Sequence, residues 1–162
     1  MKTLAVILSL ACTVTLYAQG KFAGNFTSLI GKVYSDQSEL PELKAFISRG
    51  GAMVTRIDDP EKLTGQWFVK GSTAVVLFER MNENNEREIL DVLTLTTKKT
   101  QEIKIGECSH GDTEMASLVA LVSISKAERV KAIKAWNLNR DKVRIEAFAP
   151  ENVSCLGMVG DD

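Results

Sequence analysis

The chain has 162 residues, with 20 Lys and Arg against 21 Asp and Glu and a formal net charge of −1. This near balance excludes the broad basic surface of a nucleic-acid-binding protein and the long acidic run of a solvating tail. The length is enough for one domain with a sizeable core, so a second domain is not required.

The N-terminus has the pattern of a cleavable signal peptide. Lys2 precedes an apolar stretch over residues 4–17, and this stretch is too short to span a bilayer comfortably, because a transmembrane helix needs about 20 apolar residues. Polar residues follow Ala18, so we predict cleavage between Ala18 and Gln19. Residues 1–18 are therefore expected to be a signal peptide, and the mature protein to be secreted or periplasmic without stable membrane insertion.

Two alternatives exist for this N-terminal segment. Lipid attachment at Cys12 is one, because Ala11 precedes the cysteine as in a bacterial lipobox, although Ser9 stands where leucine is usual. The other is an ordinary buried helix of the fold, which apolar runs of this length often form. The apolar residues that continue past Cys12 argue against lipidation. The extreme N-terminal position, the single preceding lysine and the small residue at the end argue against a buried helix.

Cleavage would leave 144 residues, a net charge of −2 and an even two cysteines, Cys108 and Cys155. In an oxidising compartment, two cysteines in a small domain usually pair. We therefore predict a Cys108–Cys155 disulfide, which would stabilise the fold by about 4 kcal/mol through loop closure. The alternative is a catalytic or metal-binding Cys108, because Cys108-Ser109-His110 lies in a polar turn.

The mature chain is expected to begin with a loose arm over residues 19–35, containing at most one strand. A single domain follows over residues 36–156, and residues 157–162 are expected to form a flexible tail. Within the domain, Ser38 can cap a helix, Pro41 is tolerated in a first turn and Gly50 suits a helix end. These signals predict a short amphipathic helix over residues 38–49.

Strand patterns begin after this helix. Strands are predicted over residues 53–57, 66–70, 73–81, 89–96, 101–108 and 143–148. Gly71-Ser72 suits a two-residue hairpin turn, since glycine adopts positive φ without strain. Residues 74–78 and 116–122 are apolar at nearly every position, which is typical of strands covered on both faces. These two segments are predicted to be the central strands.

A second helix is predicted over residues 126–136. Ser125 and Glu128 have the spacing of a capping box, and the apolar residues that follow fall near one helical face. A strand over residues 130–138 is the alternative, because apolar residues there also alternate. The resulting fold class is α+β: an antiparallel meander sheet of about five to seven strands, with one helix before it and one near the C-terminus.

The segment most suggestive of chemistry is residues 107–114, which holds the single histidine, His110. A carboxylate, an imidazole and a thiol or hydroxyl so close together suggest a nucleophile or a metal site. However, a base and a nucleophile within one turn rarely reach the orientation that separate elements provide. A solvated hairpin turn beside a disulfide is the better interpretation. We predict no catalytic residue, metal ligand or cofactor, and whether the protein is an enzyme stays open, with a non-enzyme favoured.

Other polar features have simple explanations. The basic pair Lys98-Lys99 lies in a predicted hairpin loop, where a solvated turn explains it better than a phosphate site. Asn25 and Asn152 each begin a glycosylation triplet, which matters only if the source organism glycosylates exported proteins. The common nucleotide, zinc and hydrolase motifs are absent from the sequence.

Gly65-Gln66-Trp67 and the predicted helix starting at Lys126 resemble a lipocalin-type barrel, where Gly-x-Trp opens the first strand and a helix precedes the last one. The resemblance covers a small part of the chain. It departs from the lipocalin pattern in having fewer than eight predicted strands after Trp67 and a whole helix upstream. What the resemblance implies is a curved sheet that encloses a small apolar ligand.

Three functions are compatible with these features. The favoured hypothesis is an exported, non-catalytic module that binds a protein partner or a component of the cell envelope, with no role for nucleic acid. The first alternative is a carrier of small apolar ligands, with a cavity lined by residues 73–78 and 116–122. The second alternative, a hydrolase using Cys108 or His110, is the least favoured.

Overall fold

The computed structural model describes residues 26–157. The predicted signal peptide, its cleavage site at Ala18–Gln19, the first part of the arm and the sequon at Asn25 lie outside the described residues. So does the predicted tail beyond Gly157.

Twelve β-strands and three short 3-10 helices form the regular structure of the described residues. The strands are β1 (Val33–Tyr34), β2 (Ile47–Met53), β3 (Lys62–Lys70), β4 (Thr73–Met81), β5 (Arg87–Thr96), β6 (Gln101–Ile105), β7 (Cys108–His110), β8 (Thr113–Glu114), β9 (Leu118–Ser123), β10 (Arg129–Asn139), β11 (Arg144–Phe148) and β12 (Val153–Leu156). The 3-10 helices cover Phe26–Leu29, Gln37–Glu39 and Pro41–Leu43. The predicted α+β class is wrong, because residues 26–157 contain two antiparallel sheets, one of them a half-barrel, and no α-helix.

The helix predicted over residues 38–49 is absent. Asp36 caps a single 3-10 turn by accepting a hydrogen bond from the Ser38 N–H at 2.8 Å, and Pro41 begins a second turn. Proline has no N–H to donate to the preceding turn, so the two turns do not merge into one helix. The chain then enters β2, and the Gly50 expected to end the helix instead follows a bulge in that strand.

The helix predicted over residues 126–136 is also absent, and β10 lies in its place, as in the strand alternative. Ser125 does accept a hydrogen bond from the Ala127 N–H at 3.1 Å, but the bond closes only a turn. A register shift between Ala132 and Lys134 adds one residue to β10. In a regular strand, side chains alternate between the two faces with a period of two residues. The bulge interrupts this period, so the apolar residues of β10 have a spacing close to that of one face of a helix. The buried residues of β10 are Val130, Ala135 and Leu138.

The first sheet, here called the N-terminal sheet, has the strand order β1-β5-β4-β3-β2. Strands β3 and β4 form the predicted hairpin, and Gly71 in its turn has a φ of +59°. Strand β4 lies in the middle of the sheet and is covered on both faces, which explains its unbroken apolar sequence. Strand β2 forms one edge of the sheet.

The second sheet, here called the C-terminal sheet, has the order β6-β9-β10-β12-β7-β8, and β11 also pairs with β10. Strand β9 corresponds to the second predicted central segment and is buried along most of its length. Strand β12, which sequence analysis does not predict, pairs with β7 and places Cys155 directly opposite Cys108. The structure joins these two cysteines, the pair expected from the sequence, in a disulfide.

Three buried clusters hold these layers together. The inter-sheet core lies between the two sheets and contains Val76 and Phe78 from one and Val119 and Leu121 from the other. The outer core lies on the opposite face of the N-terminal sheet, where residues 26–46 cover β3, β4 and β5. The disulfide core surrounds the Cys108–Cys155 bridge on the opposite face of the C-terminal sheet. Strands β4 and β9 are therefore each buried on both faces, and different parts of the chain cover the two faces.

Candidate functional site: a basic groove between the sheets

An open groove of about 820 Å³ lies where the edge of the N-terminal sheet faces the edge of the C-terminal sheet. Residues of β2 and β3 line one side, and all five residues of β6 line the other. A volume of this size is in the range of pockets that bind small molecules.

The end of the groove where Gly106 lies against Ala52 is here called the closed end, and the end lined by Arg49, Lys98 and Lys99 is called the open end. At the closed end, Gly106 has a φ of +75°, and a Cβ built on it would overlap the Ala52 methyl group. Glycine is therefore needed there for both conformation and space. At the open end, the β2 bulge at Arg49 faces the turn that joins β5 to β6.

Three cations lie at this open end. Arg49 is the extra residue of the β2 bulge, and Lys98 and Lys99 lie in the β5–β6 turn. All three side chains are exposed, and within residues 26–157 none of them forms an ion pair. Grouped exposed charges of one sign raise the local concentration of the opposite charge, so this end of the groove attracts anions.

The β5–β6 turn is held by its own hydrogen bonds. The Gln101 N–H donates to the Lys98 carbonyl at 2.9 Å, and the Lys98 N–H donates to the Gln101 side-chain oxygen at 3.1 Å. These two bonds fix the backbone that carries the lysine pair while leaving both ammonium groups in solvent.

Lys104 is the fourth cation of the groove and differs from the other three. Its side chain is only 14% exposed, and it pairs with Glu102 at 3.5 Å and with Glu107 at 3.3 Å. Both carboxylates also line the groove. The charge of Lys104 is therefore already compensated, and the free positive charge is confined to the open end.

Apolar side chains form much of the remaining wall. They are Trp67, Val69, Ile103, Ile105 and Ile124. Ile103 and Ile105 are buried in the inter-sheet core, whereas Trp67 is half-buried and packs against that core. The groove thus combines an apolar wall with a cationic end, a combination that suits an amphipathic or extended anionic ligand.

A second polar site lies in the outer core, away from the groove. Glu79 of β4 is fully buried; it accepts hydrogen bonds from Tyr34 and, at 3.3 Å, from the Thr64 hydroxyl. Arg87 lies 3.9 Å from the carboxylate. Burial raises the pKa of Glu79 above its ordinary value, and the three neighbouring donors only partly offset this rise. Because Tyr34 and Glu79 are closed off from solvent, this cluster joins elements of the fold and does not offer a binding site.

The segment suspected of catalysis holds no free thiol. Cys108 is in the disulfide, and Ser109 is buried with its hydroxyl accepting a hydrogen bond from Arg129 at 2.6 Å. His110 is exposed and packs edge-to-face on Phe148, with the ring centroids 5.5 Å apart. Over residues 26–157, no three His, Cys, Asp or Glu side chains are placed to bind a metal ion. The thiol form of the hydrolase hypothesis is therefore removed.

The carrier hypothesis receives no support from the segments expected to line a cavity. Side chains of β4 and β9 fill the inter-sheet core, and the groove is lined by other residues. Gly65-Gln66-Trp67 lies within β3 and does not open a first strand, and the helix at Lys126 is absent. Both features that resemble a lipocalin-type barrel therefore lack the structural context that this family requires.

Comparison with protein-family models, with curated proteins and with solved structures finds no match to this chain. Among the described residues, no helix has the length and apolar character needed to cross a membrane.

Sequence analysis did not find the groove. Its cations come from β2 and from the β5–β6 turn, which are about fifty residues apart in the chain and meet only because the sheets face each other. The Lys98-Lys99 pair was the one sequence feature that pointed to the groove. By itself, without knowledge that Arg49 lines the same groove, a solvated turn explains the pair equally well. The groove residues come together because β2 pairs with β3 and β6 pairs with β9.

Proposed function

We propose that this protein is an exported, non-catalytic binding module whose groove takes an anionic partner at the cell exterior or in the periplasm. The observation that carries this proposal is a groove with apolar walls whose open end holds three cations without an ion-pair partner among residues 26–157. Surface cations in a concave site attract and orient anionic partners.

Export is supported by two independent features. The N-terminal sequence has the pattern of a signal peptide, and the Cys108–Cys155 disulfide is of the kind that persists in oxidising compartments. The test is N-terminal sequencing of protein produced in a secreting host. We expect a mature chain that begins at Gln19, and intact protein beginning at Met1 would overturn this part of the proposal.

Binding is tested with polymeric anions. Trp67 lies in the groove wall and Trp136 is the second of two tryptophans in the chain, so a Trp136→Phe variant reports on the groove by fluorescence. We expect poly-L-glutamate or dextran sulfate to give a saturable change that weakens as the salt concentration rises.

Charge reversal shows whether the binding is at the groove. Lys98→Glu/Lys99→Glu is expected to weaken binding by a factor of about ten or more. Lys131→Glu/Lys134→Glu is the matched control, because it makes the same charge change at exposed positions of β10 outside the groove. Binding by neither polymer, or equal losses in the two variants, would refute the groove as an anion site.

A further inference from the structure

The ligand class of the groove follows from the backbone that borders it. We propose that the occupant is an extended acidic segment of a partner protein, added as an extra strand along the free edge of β2. This inference rests on the proposed function and deepens it, since it names both the partner's chemistry and its mode of binding.

The first observation is the free edge of β2. This strand pairs with β3, and no other strand of residues 26–157 pairs with it. The Val54 N–H donates to the Leu63 carbonyl at 2.8 Å, so this position is bonded toward β3. Because antiparallel bonding alternates along a strand, the N–H and C=O groups of Gly51 and Met53 point away from β3. They are available to an added strand.

The second observation is that β6, on the other side of the groove, also has a free edge. Within the described residues it pairs with β9 alone. The Gly106 N–H donates to the Leu118 carbonyl at 3.2 Å, and the Ile124 N–H donates to the Thr100 carbonyl at 2.9 Å. By the same alternation, the peptide groups of Ile103 and Ile105 point away from β9. Two edges that no other described strand pairs with therefore border a single groove.

Free sheet edges are usually protected, because they pair with other chains. In β2 the residues after the bulge are Gly50 and Gly51, which have no side chains to block an approaching backbone. The open end of the groove lies at this bulge, and the closed end lies at Gly106 and Ala52. An extended segment can therefore approach the edge of β2 from the open end.

Charge decides between the occupants that such an edge could pair with. A second copy would bring another Arg49 and another Lys98-Lys99 pair toward the same three cations, which is unfavourable. An acidic segment has the complementary charge, and in an extended strand alternate side chains project to the same side. Its acidic residues could therefore reach Arg49, Lys98 and Lys99 while its backbone pairs with β2.

The test uses two heptapeptides of equal charge. In one, valine alternates with glutamate; in the other, proline replaces each valine, which removes those N–H groups and prevents strand pairing. We expect the valine peptide to bind the Trp136→Phe protein at least about tenfold more tightly. In amide NMR spectra of the same protein, the N–H signals of Gly51 and Met53 are expected to shift and to gain protection from exchange.

Variants of β2 separate edge pairing from charge. Met53→Pro removes an N–H group that points away from β3, and it is expected to weaken binding of the valine peptide by a factor of about ten. Met53→Ala keeps that N–H, and its affinity for the valine peptide is expected to lie within a factor of about two of the affinity of the parent protein. Amide spectra of both variants establish that they are folded before affinities are compared.

Each other result has a defined meaning. Equal binding of the two peptides, with Gly51 and Met53 unchanged, would refute strand addition but leave an anion-binding groove. A dimer that protects the same amides without peptide would assign the edge to a second copy and overturn the proposal. Failure of the peptides and of both polymeric anions would overturn the proposed function as well.

Discussion

The phenolic hydroxyl of Tyr34 donates a hydrogen bond to the carboxylate of Glu79, and both side chains are buried, with exposed fractions of 3% and 0%. Tyr34 lies in β1 and Glu79 in β4, so the bond ties the N-terminal segment to the middle of its sheet. Burial, and then the charge of Glu79, raise the pKa of Tyr34. The hydroxyl therefore remains a donor throughout the physiological pH range.

The raised pKa of Glu79 predicts a loss of stability with rising pH. The folded state holds the Glu79 proton to a higher pH than the unfolded state, whose ordinary pKa is 4.5. Between these two pKa values the folded state binds more protons, so the free energy of unfolding falls as the pH increases. Glu79→Gln removes this titration, and its unfolding free energy is expected to change less over the same pH range.

Urea unfolding at several pH values measures this difference. Tyr34→Phe provides the comparison, because it removes a hydrogen bond that lowers the pKa of Glu79. In that variant the fall in stability should extend to higher pH than in the parent. A Glu79→Gln protein with the same pH dependence as the parent would show that Glu79 does not cause it.

Removal of the disulfide is expected to lower the free energy of unfolding by about 4 kcal/mol, because the bridge closes a loop between positions separated by 47 residues. Cys108→Ala/Cys155→Ala is the variant, and denaturant unfolding is the measurement. The parent protein treated with reductant should approach the stability of the variant. If reduction leaves the unfolding midpoint unchanged, the disulfide does not contribute this stability.

Gly65→Ala is expected to destabilise the protein by about 1–3 kcal/mol through overpacking. An added Cβ would lie 2.6 Å from Leu138 Cδ1 and 3.3 Å from Ile105 Cγ2, and Leu138 is fully buried. Leu138→Ala frees that space, so the double variant should be more stable than the sum of the two single losses predicts. Strict additivity in thermal or urea unfolding would contradict this contact.

Asp91 links the two sheets directly. Its carboxylate accepts a hydrogen bond from the Ile145 N–H of β11 at 2.6 Å and from its own neighbour, Val92, at 2.8 Å. Asp91→Ala is expected to lower the free energy of unfolding by about 1–3 kcal/mol, because it leaves the partly buried Ile145 N–H without its acceptor. Asp91→Asn keeps one acceptor oxygen and should lose less. Hydrogen exchange at Ile145 should accelerate in the alanine variant; an unchanged rate would argue against this link.

Local signals predicted the parts of the fold that depend on neighbours in sequence. The β3–β4 hairpin followed from Gly71-Ser72. The interior positions of β4 and β9 followed from apolar runs that are typical of a doubly covered strand. The two predicted helices failed for different reasons. Pro41 divides the first segment into separate turns, and the bulge near Ile133 gives the second a spacing that resembles a helix.

The groove could not be predicted in this way. Its charge arises because Arg49 of the β2 bulge lines the same groove as Lys98 and Lys99 of a turn, and neither the bulge nor the facing of the two sheets has a local sequence signal. The free edges of β2 and β6 depend on which strands pair, which is a property of the whole fold. The disulfide could be anticipated because only two cysteines remain after the predicted cleavage.

The position of Cys155 in the sequence also limits when the disulfide can form during synthesis. Cys108 is synthesised 47 residues before its partner, an interval of roughly 2–10 s at ordinary rates of chain elongation. During that time β7 has no β12 to pair with, and Cys108 has no intramolecular partner at Cys155. The bridge therefore cannot form before both β7 and β12 have been synthesised.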